Sequence, residues 1–552
     1  MMLRLSVAAL LLLAALGAAA APASSDSAAG IKRMIADARH PALKWPDFRF
    51  YDDEMQQFYE PLGYGLAWFV DGRPRKQIPE IVAALRAADD QGLNAEDYDV
   101  LWLEKQWQAV KDGGRLDEQS LMLFDTALSL NLFRYISDVH IGRVNPRNVG
   151  FQVDVQPKKY DLPILVRDGV AADRLPALVA EAEPQYPMYR RLRDVLRRYR
   201  ALSGDTAREW MPEVTKLKPG QPYAGAGRLA RTLAALGDLP AGSAAGASGT
   251  YDPELTEAVK RFQDRHGLVP DGVIGRDTFA QLNTPPAARV RQIELAMERM
   301  RWLPDVSPGP VIGINIPEFK LWAFDEEGGR LRLQFRMEVV VGKALNTRTP
   351  VFADQMEYVV FSPYWNVTPS IARNEVIPAI RKDPGYLEKH DMELVRSATG
   401  EPVAAPTGED TLGAIRRGEL RVRQRPGEKN SLGRVKFVFP NNMNIYLHDT
   451  PARTLFQRSR RDFSHGCIRV SDPGKLARFV LRDMPEWSDE KIEAAMAADQ
   501  EQHVRLKRPI PVVIFYTTVI VEEDGLVRFL PDIYGHDQAL DSALRAGYPY
   551  PP

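Results

Sequence analysis

Near residue 300 the spacing of apolar residues changes period. From about Ile31 to Tyr199 it is mostly helical, as in Ile78, Ile81, Val82 and Leu85 at i, i+3, i+4 and i+7. The stretch Leu121 to Ile136 is broadly apolar and predicts a buried helix. After one more helix, expected from Val290 to Met300, the apolar residues alternate. Val311 to Ile316, Lys320 to Phe324, Leu331 to Val341, Glu357 to Phe361, Val435 to Phe439 and Asn444 to Leu447 read as strands. Val512 to Val521 and Val527 to Leu530 add a final pair, turned at Asp524-Gly525. Two periods in one chain predict a multidomain α+β protein, helical first and mostly antiparallel β after.

Punctuation divides it further. Pro212 and Pro219-Gly220-Gln221-Pro222 mark a linker. Beyond it lies a small three-helix unit. Leu229, Leu233 and Leu236 lead to a glycine cap at Gly237. Asp252-Pro253 offers an N-cap and first-turn proline to a helix bearing Leu255, Ala258, Val259 and Phe262. A third short helix ends near Leu282, and His266 reads as a loop histidine. Within the β part, about 378–424 is helical, polar and Pro/Gly-rich, and reads as an inserted lid.

The amino terminus reads as an export signal over residues 1–21. Arg4 precedes an apolar run from Leu5 to Ala20, followed by Ala-x-Ala-type cleavage sites. An uncleaved anchor is the alternative, and would be the chain's one membrane contact. Lys and Arg number 72 against 73 Asp and Glu, so no global basic field gathers nucleic acid. The densest basic run, Arg190 to Arg200, carries Leu192, Val195, Leu196 and Tyr199 at helical spacing and reads as the wet face of an amphipathic helix. Asp138 and His140 lie close together and read as a structural polar pair.

Cys467 is the one cysteine in 552 residues, so it has no internal disulfide partner. Exported proteins usually carry cysteines in pairs, which makes an unpaired one a candidate reactive thiol. It stands in Ser464-His465-Gly466-Cys467-Ile468-Arg469-Val470, downstream of Tyr446-Leu447-His448-Asp449-Thr450-Pro451. An imidazole can take the thiol proton, and N–H groups of a glycine turn can hold an oxyanion.

The small unit, with Tyr251-Asp252, Phe262-Gln263, His266-Gly267-Leu268, Asp271-Gly272 and Ile274-Gly275, resembles the peptidoglycan-binding domain of bacterial wall enzymes. The Ser-His-Gly-Cys-Ile-Arg run with its upstream His-Asp-Thr resembles the L,D-transpeptidase catalytic domain. Val341-Gly342-Lys343 with Thr349-Pro350 resembles that family's early strands, and Tyr364-Trp365-Asn366-Val367, Ser370-Ile371 and Asp532-Ile533-Tyr534-Gly535 resemble its long periplasmic branch. The resemblance implies a helical scaffold domain at 31–210, a peptidoglycan-binding domain at 222–285, and a sandwich-like catalytic domain at 290–540 carrying the lid. It implies a periplasmic enzyme acting on peptidoglycan stem peptides and glycan, alongside other wall-synthesis enzymes, without metal or organic cofactor. The cysteine would attack the diaminopimelate carbonyl, expel D-alanine, and pass the acyl group to another stem's amine. Resolution by water or by a lipoprotein lysine shares the same first step.

On this reading Cys467 is the nucleophile and His448 the base. Gly466 and Cys467 N–H groups, with His465, form the oxyanion hole; His465 also has an orienting reading. Arg469, Ser464, Tyr446 and Trp365 are expected to meet substrate. Arg469 would clamp a carboxylate or make a structural salt bridge. Ser464 would also steady the turn, and the two aromatic residues would line the groove or pack in the core. Asp449 does not suit a triad acid, since neighbours on a strand point to opposite faces; a main-chain carbonyl suits the second imidazole nitrogen better. Rivals are a zinc site on His448, His465 and Cys467, lacking a further ligand pair, and a wall-binding scaffold without chemistry.

Overall fold

Asp117 opens the longest helix by accepting a hydrogen bond from Ser120 N at 2.7 Å. Helix α1 (Glu118–Ile141) then runs to Gly142, whose φ of +83° ends it. From Phe124 onward it is buried nearly all round. Its inward polar groups have partners, as burial demands. Asp125 accepts from Ala67 N at 3.0 Å, Trp68 N at 2.8 Å and the Tyr59 hydroxyl at 2.7 Å. Asp138 accepts from the Tyr98 hydroxyl at 2.6 Å, inside the last turn.

The computed structural model describes residues 25–552 except 154, 205–210, 213, 305–308, 329, 346, 549, 551 and 552. The export segment read at residues 1–21 lies outside these. Among the described residues no helix is long and apolar enough to cross a membrane.

The small unit has helices α2 (Ala226–Leu236), α3 (Pro253–Arg265) and α4 (Arg276–Leu282). Gly237 caps α2 at φ +87°, and Asp252 Oδ1 accepts from Leu255 N at 2.9 Å to start α3. Leu229, Leu233, Tyr251, Leu255, Val259 and Phe262 fill its core. His266 lies in the turn that follows α3, as read, but it is buried. It is 3% exposed, stacks on the Phe262 ring at 3.9 Å, and burial drives its pKa well down.

The chain forms two units: Ser307–Tyr516, and all that precedes it together with Thr517–Pro552. Helix α5 (Pro286–Arg301) belongs with the N-terminal unit. The second unit holds β1 (Val311–Asn315), β2 (Lys320–Glu327), β3 (Arg330–Gly342), β4 (Phe352–Phe361), β5 (Trp365–Asn366), β6 (Met392–Arg396), β7 (Pro402–Val403), β8 (Leu420–Gln424), β9 (Val435–Val438), β10 (Leu447–His448), β11 (Asp462–Ser464), β12 (Ile468–Val470) and β13 (Gln502–Phe515). Nine of them form one sheet in the order β11-β3-β12-β10-β9-β4-β13-β1-β2. The long strand β3 also pairs with β2, so the sheet closes on itself, with the short β11 left at an edge. Most pairs are antiparallel, but β10–β12, β11–β3 and β13–β1 are parallel.

Two expectations change. The strand read over Val512–Val521 breaks after Phe515, and β14 (Val519–Val521) and β15 (Val527–Phe529) pair as a separate hairpin in the other unit. The insert is not purely helical. It begins at β5 and carries the four-stranded sheet β5-β8-β6-β7 beside helical turns at 369–382 and helix α6 (Glu409–Arg417). Met392, Leu394 and Val422 alternate along its strands and close a core with Val376, Ile377, Ile380 and Leu412.

Candidate active site

Parallel pairing of β10 with β12 sets Leu447 beside Ile468 and His448 beside Arg469. Leu447 and Ile468 are fully buried in the sheet core. Alternation therefore puts His448 and Arg469 on the opposite face. Tyr446 and Cys467, one step earlier on each strand, follow on that same side. The turn before β12 thus presents the thiol next to the strand that carries the imidazole.

His448 is 4% exposed, and its Nδ1 lies 2.5 Å from the Asp449 carbonyl oxygen. A carbonyl only accepts, so Nδ1 carries the ring proton and Nε2 keeps its lone pair. The Asp449 carboxylate points elsewhere. It accepts from Arg434 N at 2.8 Å and Thr450 N at 2.6 Å, and pairs with Arg453. Gly433 lets it approach: a Cβ at position 433 would come within 2.3 Å of that carboxyl group.

The turn itself is braced from within. Gly466 has φ +116°, open to glycine and strained for other residues. Ser464 Oγ accepts from Gly466 N at 3.2 Å and donates to Cys467 O at 2.6 Å. Thr349 Oγ1 donates to Gly466 O at 2.7 Å, and Thr347 Oγ1 to Ser464 O at 3.0 Å. Gly342 admits this loop, since a Cβ there would fall 1.9 Å from Thr347 O. Two expectations are corrected here. The Gly466 N–H, expected in the oxyanion hole, donates to Ser464 Oγ within the turn. Ser464, expected at substrate, is 2% exposed and works inside the turn.

Burial pushes the Cys467 thiol pKa up, outweighing the pull of Tyr446 hydrogen bonding and of the Lys436 and Arg469 charges. Burial, then Arg469 and Lys436, lower His448 to about 3 against the Asp449 carbonyl. Both groups are therefore neutral at pH 7. Cys467 Sγ lies 3.5 Å from Asn444 O.

Lys436 escaped the sequence reading. It pairs across from His448 on β9, and its ammonium sits 3.9 Å from the Tyr446 ring centroid. Burial lowers its pKa, and the Cys467 charge opposes that. The available signal was alternation: between buried Val435 and Phe437, a lysine must face the other side. Arg469 Nε is buried without a hydrogen-bond partner.

The other predicted residues lie apart. His465 is exposed, and its Nε2 lies 2.6 Å from Glu375 Oε1 in the insert's π-helical turn Ala372–Val376. Trp365 packs against the insert core. Tyr446 does stand at the site, its ring centroid 5.7 Å from that of His448. Among the described residues no group of three or more His, Cys, Asp or Glu could hold a metal ion.

Residues 309–513 match a family model described as the L,D-transpeptidase catalytic domain, residues 226–282 a "putative peptidoglycan binding domain", and residues 53–196 a scaffold domain. A "Putative L,D-transpeptidase" of Haemophilus influenzae is 32% identical over 253 residues, 46% of this chain and 49% of the relative. The chain thus spans about half the length of that relative. A fused Zn-dependent amidase/peptidase/peptidoglycan-binding protein from Clostridium acetobutylicum is 12% identical with TM-score 0.16, over 55% of this chain and 100% of that one. Bd1075 of Bdellovibrio bacteriovorus is 14% identical with TM-score 0.15, over 43% of this chain and 56% of that one. Scores this low carry no argument about fold. With its cysteine turn and strand-end histidine inside the matched segment, the chain carries an L,D-transpeptidase catalytic domain, preceded by a scaffold domain and a peptidoglycan-binding domain.

Proposed function

We propose that this protein is an exported L,D-transpeptidase that forms diaminopimelate-to-diaminopimelate cross-links in peptidoglycan. The observation that carries the reading is the placement of Cys467 and His448 on one face of adjacent strands, with His448 Nδ1 bound to the Asp449 carbonyl. That bond leaves Nε2 to receive a proton.

The thiol is neutral at rest, so its proton passes to His448 Nε2 as Sγ attacks the diaminopimelate carbonyl carbon. The C–N bond to D-alanine breaks, and the imidazolium returns the proton to the leaving amine. A thioester remains on Cys467. The side-chain amine of a second stem attacks it, gives a proton to His448, and the C–S bond breaks to restore the thiol. Lys436 and Arg469 favour the thiolate as it forms. The Cys467 N–H is the oxyanion donor that remains once Ser464 holds the Gly466 N–H. The wall-directed domains support action outside the cytoplasm.

Incubation of the protein with a purified tetrapeptide muropeptide tests this. The expected result is an acyl adduct on Cys467, release of D-alanine and a cross-linked dimer, with none from Cys467→Ala. Folded protein that forms no adduct with either muropeptide or a carbapenem would refute it.

A further inference from the structure

Lys436, His448 and Arg469 form one row across three neighbouring strands. Lys436 on β9 is paired with His448 on β10, and His448 with Arg469 on β12. Their neighbours Phe437, Leu447 and Ile468 are buried on the opposite face, so the three side chains share the face of Cys467. The imidazole is thus flanked by a cation on each side, at the strand spacing of about 4.8 Å. The Lys436 ammonium, 3.9 Å from the Tyr446 ring centroid, leans toward the row that Tyr446 shares with Cys467.

Neither cation serves the fold as an ion pair. Both side chains are half-buried, and among the described residues neither has a carboxylate partner. The structural salt bridge that was one reading of Arg469 is therefore absent. Arg469 Nε is buried without a hydrogen bond, while its terminal nitrogens and Lys436 Nζ keep accessible surface. The acids around the site are engaged elsewhere. Glu501, whose charge reaches Lys436, accepts from Tyr364 N at 2.9 Å and lies 3.2 Å from His503 Nε2. Glu375 faces His465, and Asp449 pairs with Arg453. Two partly desolvated cations side by side without a counter-charge cost stability. A carboxylate offsets that cost through charge-assisted hydrogen bonds.

The reaction brings one to this row. His448 Nε2 must meet the leaving amine to protonate it. In a terminal amino acid the carboxylate carbon lies two bonds from that nitrogen, within about 3 Å. An amine at His448 therefore carries its own carboxylate to the flanking cations. The diaminopimelate side chain bears a second carboxylate, at the end of a flexible chain with no such tie to His448. We propose that Lys436 and Arg469 hold the free α-carboxylate of the leaving D-alanine, and so restrict attack to the last peptide bond of a stem. Two cations against one carboxylate leave net positive charge for the sulfur. The inference rests on the transpeptidase reading above and assigns its donor specificity to these two side chains.

Three tetrapeptide muropeptides test it on the full chain: the free acid, one amidated at D-alanine, and one amidated at the diaminopimelate side chain. The first two form the same thioester and differ in the leaving group alone. Initial rates of adduct formation on Cys467, read by intact mass, should fall by about tenfold or more for the D-alaninamide donor, and little for the other amide. Arg469→Gln and Lys436→Met should each shrink that preference several-fold, and Arg469→Lys should keep most of it. Weaker support of the thiolate slows all donors alike, so the ratio isolates the carboxylate contact. Three results would overturn the assignment: equal use of acid and D-alaninamide by the wild type, an unchanged ratio in both charge-removing variants, or a loss that follows the diaminopimelate amide. If no donor acylates Cys467, the transpeptidase chemistry fails, and the subsite is read by iodoacetamide alkylation instead. N-acetyl-D-alanine, but not its amide, should then shield the thiol; equal or absent shielding would overturn the subsite too.

Discussion

Glu375 Oε1 lies 2.6 Å from His465 Nε2, joining the insert to the turn that carries Cys467. Both side chains are substantially exposed, so the pair contributes at most about 1 kcal/mol. Glu375→Ala should leave the melting temperature nearly unchanged and raise hydrogen exchange over residues 369–382. A melting temperature lower by many degrees would mean that the contact matters for folding.

The neutral resting state has a kinetic signature. The folded thiol pKa stands above its ordinary value, so the thiolate fraction at pH 7 is below that of a free cysteine. Iodoacetamide alkylation of Cys467, followed by intact mass, should accelerate continuously through pH 9. A plateau reached near pH 6 would reveal a preformed thiolate–imidazolium pair and contradict this account.

Lys436 supplies positive charge where the thiolate forms. Each pKa unit of lost thiolate stabilisation is worth about 1.4 kcal/mol, or tenfold in rate. Lys436→Met should slow acylation by about tenfold at pH 7 and shift the alkylation profile to higher pH. Lys436→Arg should restore most of both. An unshifted profile in Lys436→Met would remove lysine from the chemistry.

Adjacent residues should separate stability from reaction. Asp449→Ala orphans the buried N–H groups of Arg434 and Thr450, at a cost of roughly 1–3 kcal/mol for each. Its expected phenotype is a lower melting temperature. His448→Ala should instead keep most of the fold and lose acylation of Cys467. Denaturant titration of both variants, alongside adduct formation, distinguishes them.

The alternating pattern of β9 and the cysteine turn were legible because strand periodicity is local. So was the need for a main-chain partner to His448, since Asp449 must point to the other face. Lys436 was missed because its nearness to Tyr446 depends on the register between β9 and β10, a pairing that no local window contains. The turn-steadying role of Ser464 was legible, but its burial away from substrate was not, because Gly342 and Thr347, which help enclose it, come from 117 or more residues upstream. The strands of the insert hid among prolines and charges, because each is short and its core is shared with helical turns.

The return of Thr517–Pro552 to the N-terminal unit has a genetic consequence. A nonsense codon just after Tyr516 would leave every strand of the Cys467 sheet encoded. It would delete Tyr548, whose hydroxyl donates to Asp138 and whose ring faces the Arg134 guanidinium at 4.9 Å. Such an allele would strike the amino-terminal unit through a lesion that lies downstream of every codon for the Cys467 sheet.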